Sequence, residues 1–190
     1  IYSNLAGDYS VEYTYRVSNN TTPAFLRVTA MWGGQNGSIL FWNWLMSLYI
    51  FFVFLRPWKS NRDLLPWVIA VSIGTQAFFI LLTIFFANPF ARLFSDAAGS
   101  VSAAIFPVAG SLPFRAADGQ GLNPLLRHPG MIIHPPMLYL GFVGLVIPFA
   151  YAMGALLAKN KTNSWIIAMR RPTLVAWLFL SLGLLLGARW

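Results

Sequence analysis

At 190 residues, with 57% hydrophobic and only 9% charged side chains and a mean hydropathy of +0.62, the chain is far more apolar than a soluble domain, which carries about 25% charged residues. It reads as an all-α membrane protein, a polytopic helical bundle. The net charge of +8 maps onto loops between apolar runs and gives no reason to invoke nucleic acid. The absence of cysteine excludes disulfides, zinc–thiolate sites and a cysteine nucleophile.

The N-terminal stretch, residues 1–38, is assigned to an outer segment. Ile1–Arg27 reads as irregular or strand-like, because Tyr9–Val17 partly alternates in polarity, and Ser18 to Pro23 reads as a turn. The run Trp32-Gly33-Gly34-Gln35-Asn36-Gly37-Ser38 follows. Its glycines permit close backbone approach to a neighbour or ligand. It lacks the spacing of a phosphate loop and has no Lys-Ser/Thr at its end. A turn that caps the next helix through Ser38 is the simpler reading, and an anion at the helix start is the alternative.

Residues 39–86 are predicted to hold two membrane helices joined by a basic loop at 56–63. Ile39–Leu55 is the first apolar run and Leu64–Phe86 the second, entered through Pro66. Trp42 and Trp44 lie a turn or so inside the first. Asn43, Ser47, Ser72, Thr75 and Gln76 would line a path if the chain were a transporter segment, but no acidic residue falls within a span, and coupled transporters usually carry one.

A long outer loop is predicted over 87–136. Its Ser95–Pro113 portion is rich in small residues and suits a tether. The part from Gly119 to His134 looks ordered. His134-Pro135-Pro136 closes the loop. Prolines start helices and do not sit inside them, so His134 is placed at the membrane boundary just before a helix. From these residues alone it is either an interfacial hydrogen-bonding side chain or an axial metal ligand. His128 and His134, six apart with Pro129 between, do not share one helix face.

Two further membrane helices are predicted over 137–190, with a loop at 158–172. Met137–Leu157 is the third apolar run. Thr173–Ala188 follows Arg171-Pro172 and carries the Gly183/Gly187 pair, a weak signal for close helix packing. Seven basic residues fall in the two short loops: Arg56, Lys59, Arg62, Lys159, Lys161, Arg170 and Arg171. They are expected to face the cytoplasm, with Trp58, Trp67 and Trp165 in the aromatic belt there and Trp32 and Trp190 in the outer one. The start at Ile1 and the stop at Trp190 immediately after a span read as a piece of a longer protein.

Several of these motifs together resemble the CcmF-type haem lyase subunit of cytochrome c maturation, a family related to the CcsA type. They are Trp32-Gly33 with Gly37-Ser38 and Trp42, then Asn88-Pro89-Phe90, then Leu122-Asn123-Pro124-Leu125-Leu126. After them come His134-Pro135-Pro136 with Tyr139 and Gly141, and finally Arg171-Pro172 with Trp177 and Gly183. The resemblance implies haem as the cofactor, delivered by a haem chaperone and held at the periplasmic face of the bacterial inner membrane. Apocytochrome c cysteines would then add to its vinyl groups as part of a haem lyase reaction. It also implies other maturation membrane subunits as partners, within the lipid bilayer.

His134 matches the first of two outer axial ligands. Pro135, Pro136, Tyr139, Trp32, Gly33 and Asn123 match positions around the haem. The family's tryptophan-rich segment and second outer histidine would lie after Trp190, so this stretch alone is expected to be inactive. Asn36 departs from a usual glutamate, Thr173 from a usual tryptophan, and His128 has no family counterpart. A scaffolding piece of a larger assembly and a transporter segment stay as the alternatives.

Overall fold

A computed structural model describes residues 1–56 and 62–189. The expectations for Trp58, Lys59 and Trp190 lie outside the described residues. Among the described residues, four helical spans are long and apolar enough to cross a membrane: Gln35–Phe54, Leu65–Phe85, Gly130–Leu157 and Ser164–Arg189. The reading of the chain as a helical membrane bundle therefore holds.

The chain divides into two compact units. The first combines Ile1–Phe41 with Leu82–Met131, and the second combines Trp42–Leu81 with Ile132–Trp190.

In the first unit the strand-like reading of the N-terminus gives way to three short helices: α1 (Tyr2–Ala6), α2 (Glu12–Val17) and α3 (Ala24–Thr29). Tyr13 and Val17 on α2, four apart, pack with Leu26, Ala30 and Leu122 into a buried cluster. That helical spacing outweighs the imperfect alternation. Asp8 accepts from the Ser10 hydroxyl at 2.6 Å. This bond, together with Arg115 and Arg92, holds its carboxyl below the ordinary value despite partial burial.

A 3-10 turn at Ala30–Trp32 leads into α4 (Gln35–Phe54), which starts four residues earlier than Ile39. α5 spans Leu65–Phe85. The Ser95–Pro113 segment expected to be a tether instead pairs with the residues just before it: β1 (Arg92–Ser95), β2 (Val101–Ala104) and β3 (Leu112–Pro113) form an antiparallel sheet ordered β2-β1-β3. Leu93 and Phe94 of β1 are both buried; successive strand residues point to opposite sides, so this central strand is covered on both faces. At the first turn Asp96 accepts from the amides of Ala98 and Ser100, and Gly99 takes φ 80°.

The second unit is helical. α6 (Gly130–Gly144) and α7 (Val146–Leu157) meet at Leu145. Pro148 has no N–H for the Gly144 carbonyl, which places the break there. α8 runs from Ser164 to Arg189 and passes straight through Pro172, so the fourth span is longer than the run expected from Thr173. A core of Val53, Leu64, Leu65, Val68, Ile69, Ile147, Ala150, Tyr151 and Ala155 ties α4, α5 and α7 together.

The polar side chains considered for a transport path make hydrogen bonds within and between the helices. Ser47, Ser72 and Thr75 donate back to their own helices, to the carbonyls of Asn43, Val68 and Val71. Gln76 donates to Asn43 Oδ1 at 2.9 Å, and Asn43 donates to the Phe79 carbonyl. This amide pair joins α4 to α5.

Candidate functional site around the His-Pro-Pro helix

α6 starts at Gly130, so His134 is its fifth residue and Pro135 and Pro136 lie inside it. This corrects the expectation that the Pro-Pro step begins the helix. A proline in a helix leaves the carbonyl four residues earlier without its donor. For Pro135 that carbonyl belongs to Met131, and the Trp32 indole N–H donates to it at 2.8 Å. α8 shows the same solution. Pro172 frees the Ala168 carbonyl, and an Arg56 guanidinium N–H donates to it at 2.8 Å. A distant side chain thus replaces the backbone donor missing at Pro135 and at Pro172.

Trp32 therefore has a structural task that the motif comparison did not foresee. Its N–H serves the Met131 carbonyl and its ring stacks on Phe41 at 5.4 Å between centroids. Trp32→Phe should cost about 1–2 kcal/mol through the unsatisfied carbonyl. Pro135→Ala returns a backbone N–H to Met131, so the same Trp32→Phe change should cost little in that background. Thermal unfolding of the two single variants and the double variant checks this; equal costs in both backgrounds would disprove the replacement.

His134 is half-buried in the second unit. Its Nδ1 lies 2.7 Å from the Gly183 carbonyl oxygen of α8. A carbonyl only accepts, so Nδ1 carries the proton. The lone pair of the neutral ring is thereby placed on Nε2.

Close helix approach makes this bond possible. A Cβ on Gly141 would fall 2.5 Å from the Leu180 backbone nitrogen. One on Gly183 would fall 2.7 Å from the Leu138 nitrogen, and one on Gly187 2.5 Å from His134 Cε1. Positions 141, 138 and 134 of α6 thus meet 180, 183 and 187 of α8 in antiparallel register. The Gly183/Gly187 pair was legible as a packing signal. Its partner helix was not, because nothing local in the sequence records which helix it meets.

Tyr139 is also on α6, five residues beyond His134, and so lies on a different face. It packs edge-on against Trp42 at 5.5 Å. Phe79 and Phe142 complete that aromatic group.

The other motif residues belong to the first unit. Gly33 and Asn123 line one hollow of about 300 Å³ together with Arg16, Tyr13 and Asn36. Asn123 is exposed and caps the 3-10 turn Pro124–Arg127 by accepting from Leu125 N at 3.0 Å. Gly33 lies against Leu122, where a Cβ would come within 3.0 Å of a methyl carbon. Ser38 does not accept as a cap; its hydroxyl donates to the Trp32 carbonyl. Asn36 donates to the Asn88 carbonyl, a bond a carboxylate could not make. His128 accepts at Nδ1 from Gly130 N at 3.0 Å, next to the start of α6. Among the described residues no three His, Cys, Asp or Glu side chains are grouped to hold a metal ion, so a metal here would need ligands from another source, as haem iron has from its porphyrin.

These features define a polytopic membrane protein with one imidazole oriented between two closely packed helices. Residues 32–190 match the family described as Cytochrome C assembly protein, and the chain belongs to that family. It is 36% identical over its whole length to the cytochrome c-type biogenesis protein CcmF of Haemophilus influenzae, covering 26% of that protein. Against CcmF of Escherichia coli the identity is 36%, over 98% of this chain and 26% of the relative. The biogenesis protein NrfE of Haemophilus influenzae is also 36% identical, over all of this chain and 27% of the relative. The chain thus spans about a quarter of the length of these relatives. No solved structure matches it.

Proposed function

We propose that this chain is part of a membrane protein of cytochrome c maturation that holds haem, as the substrate, for thioether attachment to apocytochrome c. Family membership and the relatives named for cytochrome c-type biogenesis support the broad role. The observation that carries the haem reading is the His134 Nδ1–Gly183 bond. Metal-bound histidines usually donate their second ring N–H to a carbonyl or carboxylate, which sets the ring's orientation and raises its basicity. One imidazole in a fixed tautomer suits an axial position on haem iron, so the residues present fit the group.

In this reading His134 supplies Nε2, Gly183 orients it, and Gly141 with Gly183 lets α6 and α8 come close enough for that bond. Trp32 steadies the first turn of α6 through Met131. The vinyl chemistry belongs to the haem and the apocytochrome thiols. The delivering partner is a haem chaperone, and the remainder of the parent protein brings the second axial ligand. Basic residues Arg62, Lys159, Lys161, Arg170 and Arg171 support a cytoplasmic position for the short loops of the inner membrane protein. His134 and the motif segments then face the periplasm.

The test is holocytochrome c formation in cells that depend on the full-length parent protein. His134→Ala should lower the yield at least about tenfold, with the protein still present in membranes. A wild-type yield would reject the reading and favour a scaffolding role.

A further inference from the structure

Gly187 faces His134 across the α6–α8 seam. A Cβ built there would lie 2.5 Å from Cε1, 3.0 Å from Nδ1 and 3.2 Å from Nε2. The Nδ1–Cε1–Nε2 edge of the ring therefore rests on the one surface of α8 that carries no side chain. Its neighbour one turn back, Gly183, presents the carbonyl that takes the Nδ1 proton. We infer that Gly187 is a positioning residue for His134: its bare Cα seats the imidazole so that Nδ1 reaches the Gly183 carbonyl.

Any side chain at 187 works against both ends of the ring. A methyl group within 2.5 Å of Cε1 is closer than atoms pack, so the ring must turn or lift. Turning lengthens the 2.7 Å bond to Gly183 and releases the tautomer. A larger group also stands beside Nε2, where a ligand would approach. The helix cannot yield easily, because the same seam is pinned further along by Gly183 against Leu138 and Gly141 against Leu180, both backbone contacts. Packing alone would be served by alanine at many such positions. Here the imidazole, not another aliphatic side chain, is what requires the glycine.

The inference rests on the haem reading only in its final step, so its test uses one readout without haem and one with it. The full-length protein is purified from membranes as wild type, Gly187→Ala, Gly187→Leu and Gly74→Leu. Gly74 of α5 has nothing within 4 Å of a built Cβ and serves as the control.

In the first arm, carbethoxylation of His134 by diethyl pyrocarbonate is followed by mass spectrometry with no haem added. Gly187→Leu should change its rate, because the ring is displaced from the Gly183 carbonyl, with Gly74→Leu at the wild-type rate. An unchanged rate in Gly187→Leu overturns the inference, whatever haem does.

In the second arm, haem is supplied on its chaperone. Gly187→Ala should alter the ligation spectrum of the delivered haem. That alteration should vanish in a His134→Gly background supplied with free imidazole, since an untethered ring can shift to make room. If Gly187→Ala alters the spectrum equally in the imidazole-rescued background, the glycine acts on the fold and not through His134, and the inference fails. If His134→Gly leaves delivered haem unchanged while the first arm behaves as expected, the seating stands and the haem reading falls.

Discussion

Gly37→Ala is expected to destabilise the first unit by about 3 kcal/mol or more, the range that follows when a fully packed backbone is forced apart. Gly37 is buried in the first turn of α4, and a Cβ there would run into the Met31 carbonyl oxygen and the Tyr13 hydroxyl. Neither neighbour can swing away. Tyr13 sits 3.0 Å from the Ala30 carbonyl and 2.9 Å from that of Met31, and its ring belongs to the cluster with Val17, Leu26 and Leu122. Making room means lifting α2 off the turn that precedes α4, at the cost of those bonds and that burial together. Thermal unfolding of the full-length protein, with limited proteolysis followed at residues 1–41 and 82–131, would show it. A change within about 0.5 kcal/mol would mean that the turn is looser than this geometry.

Gly141→Leu should cost about as much in the second unit, roughly 3–5 kcal/mol. Its built Cβ meets the nitrogen and Cα of Leu180 at 2.5 Å, and these are main-chain atoms of a 26-residue helix. The helices must separate, and separation also withdraws the Gly183 carbonyl from His134. Gly141→Leu is therefore expected to lower the melting temperature and to impair His134 together, whereas Gly74→Leu should change neither. A variant of normal stability with a normal His134 would contradict the described seam.

Much of the membrane architecture was legible because about twenty consecutive apolar residues leave a bilayer span few alternatives. Span edges were misjudged where helix and hydropathy part company. Gln35-Asn36-Gly37-Ser38 is polar yet helical, and Ser164–Arg171 is a charged opening to α8. The prolines misled for a different reason. The rule against internal proline assumes that the freed carbonyl goes unpaired. Here Trp32 and Arg56 supply donors from 99 and 112 positions away in the chain, which local pattern cannot reveal.

In the outer loop, Ser95–Pro113 is rich in small residues and its buried partners Leu93 and Phe94 lie just before it, so a sheet held by the Asp96 and Gly99 turn passed as a tether. The histidine was singled out through its motif. What the motif could not supply is the orientation of the ring, since Gly183 and Gly187 lie some fifty residues on. Tyr139, Gly33 and Asn123 have clear packing or capping tasks in the fold, and those tasks account for these residue types without reference to haem.

The central claim is that His134 Nε2 binds haem delivered to the outer face. Its most direct test is the optical spectrum of the full-length protein, purified from membranes and incubated with haem-loaded chaperone, as wild type and as His134→Ala. The account predicts that the bands of the chaperone-delivered haem are lost, or change ligation, in the variant only, and that free imidazole added to His134→Gly restores them. Delivered haem with the same spectrum in wild type and His134→Ala would contradict it.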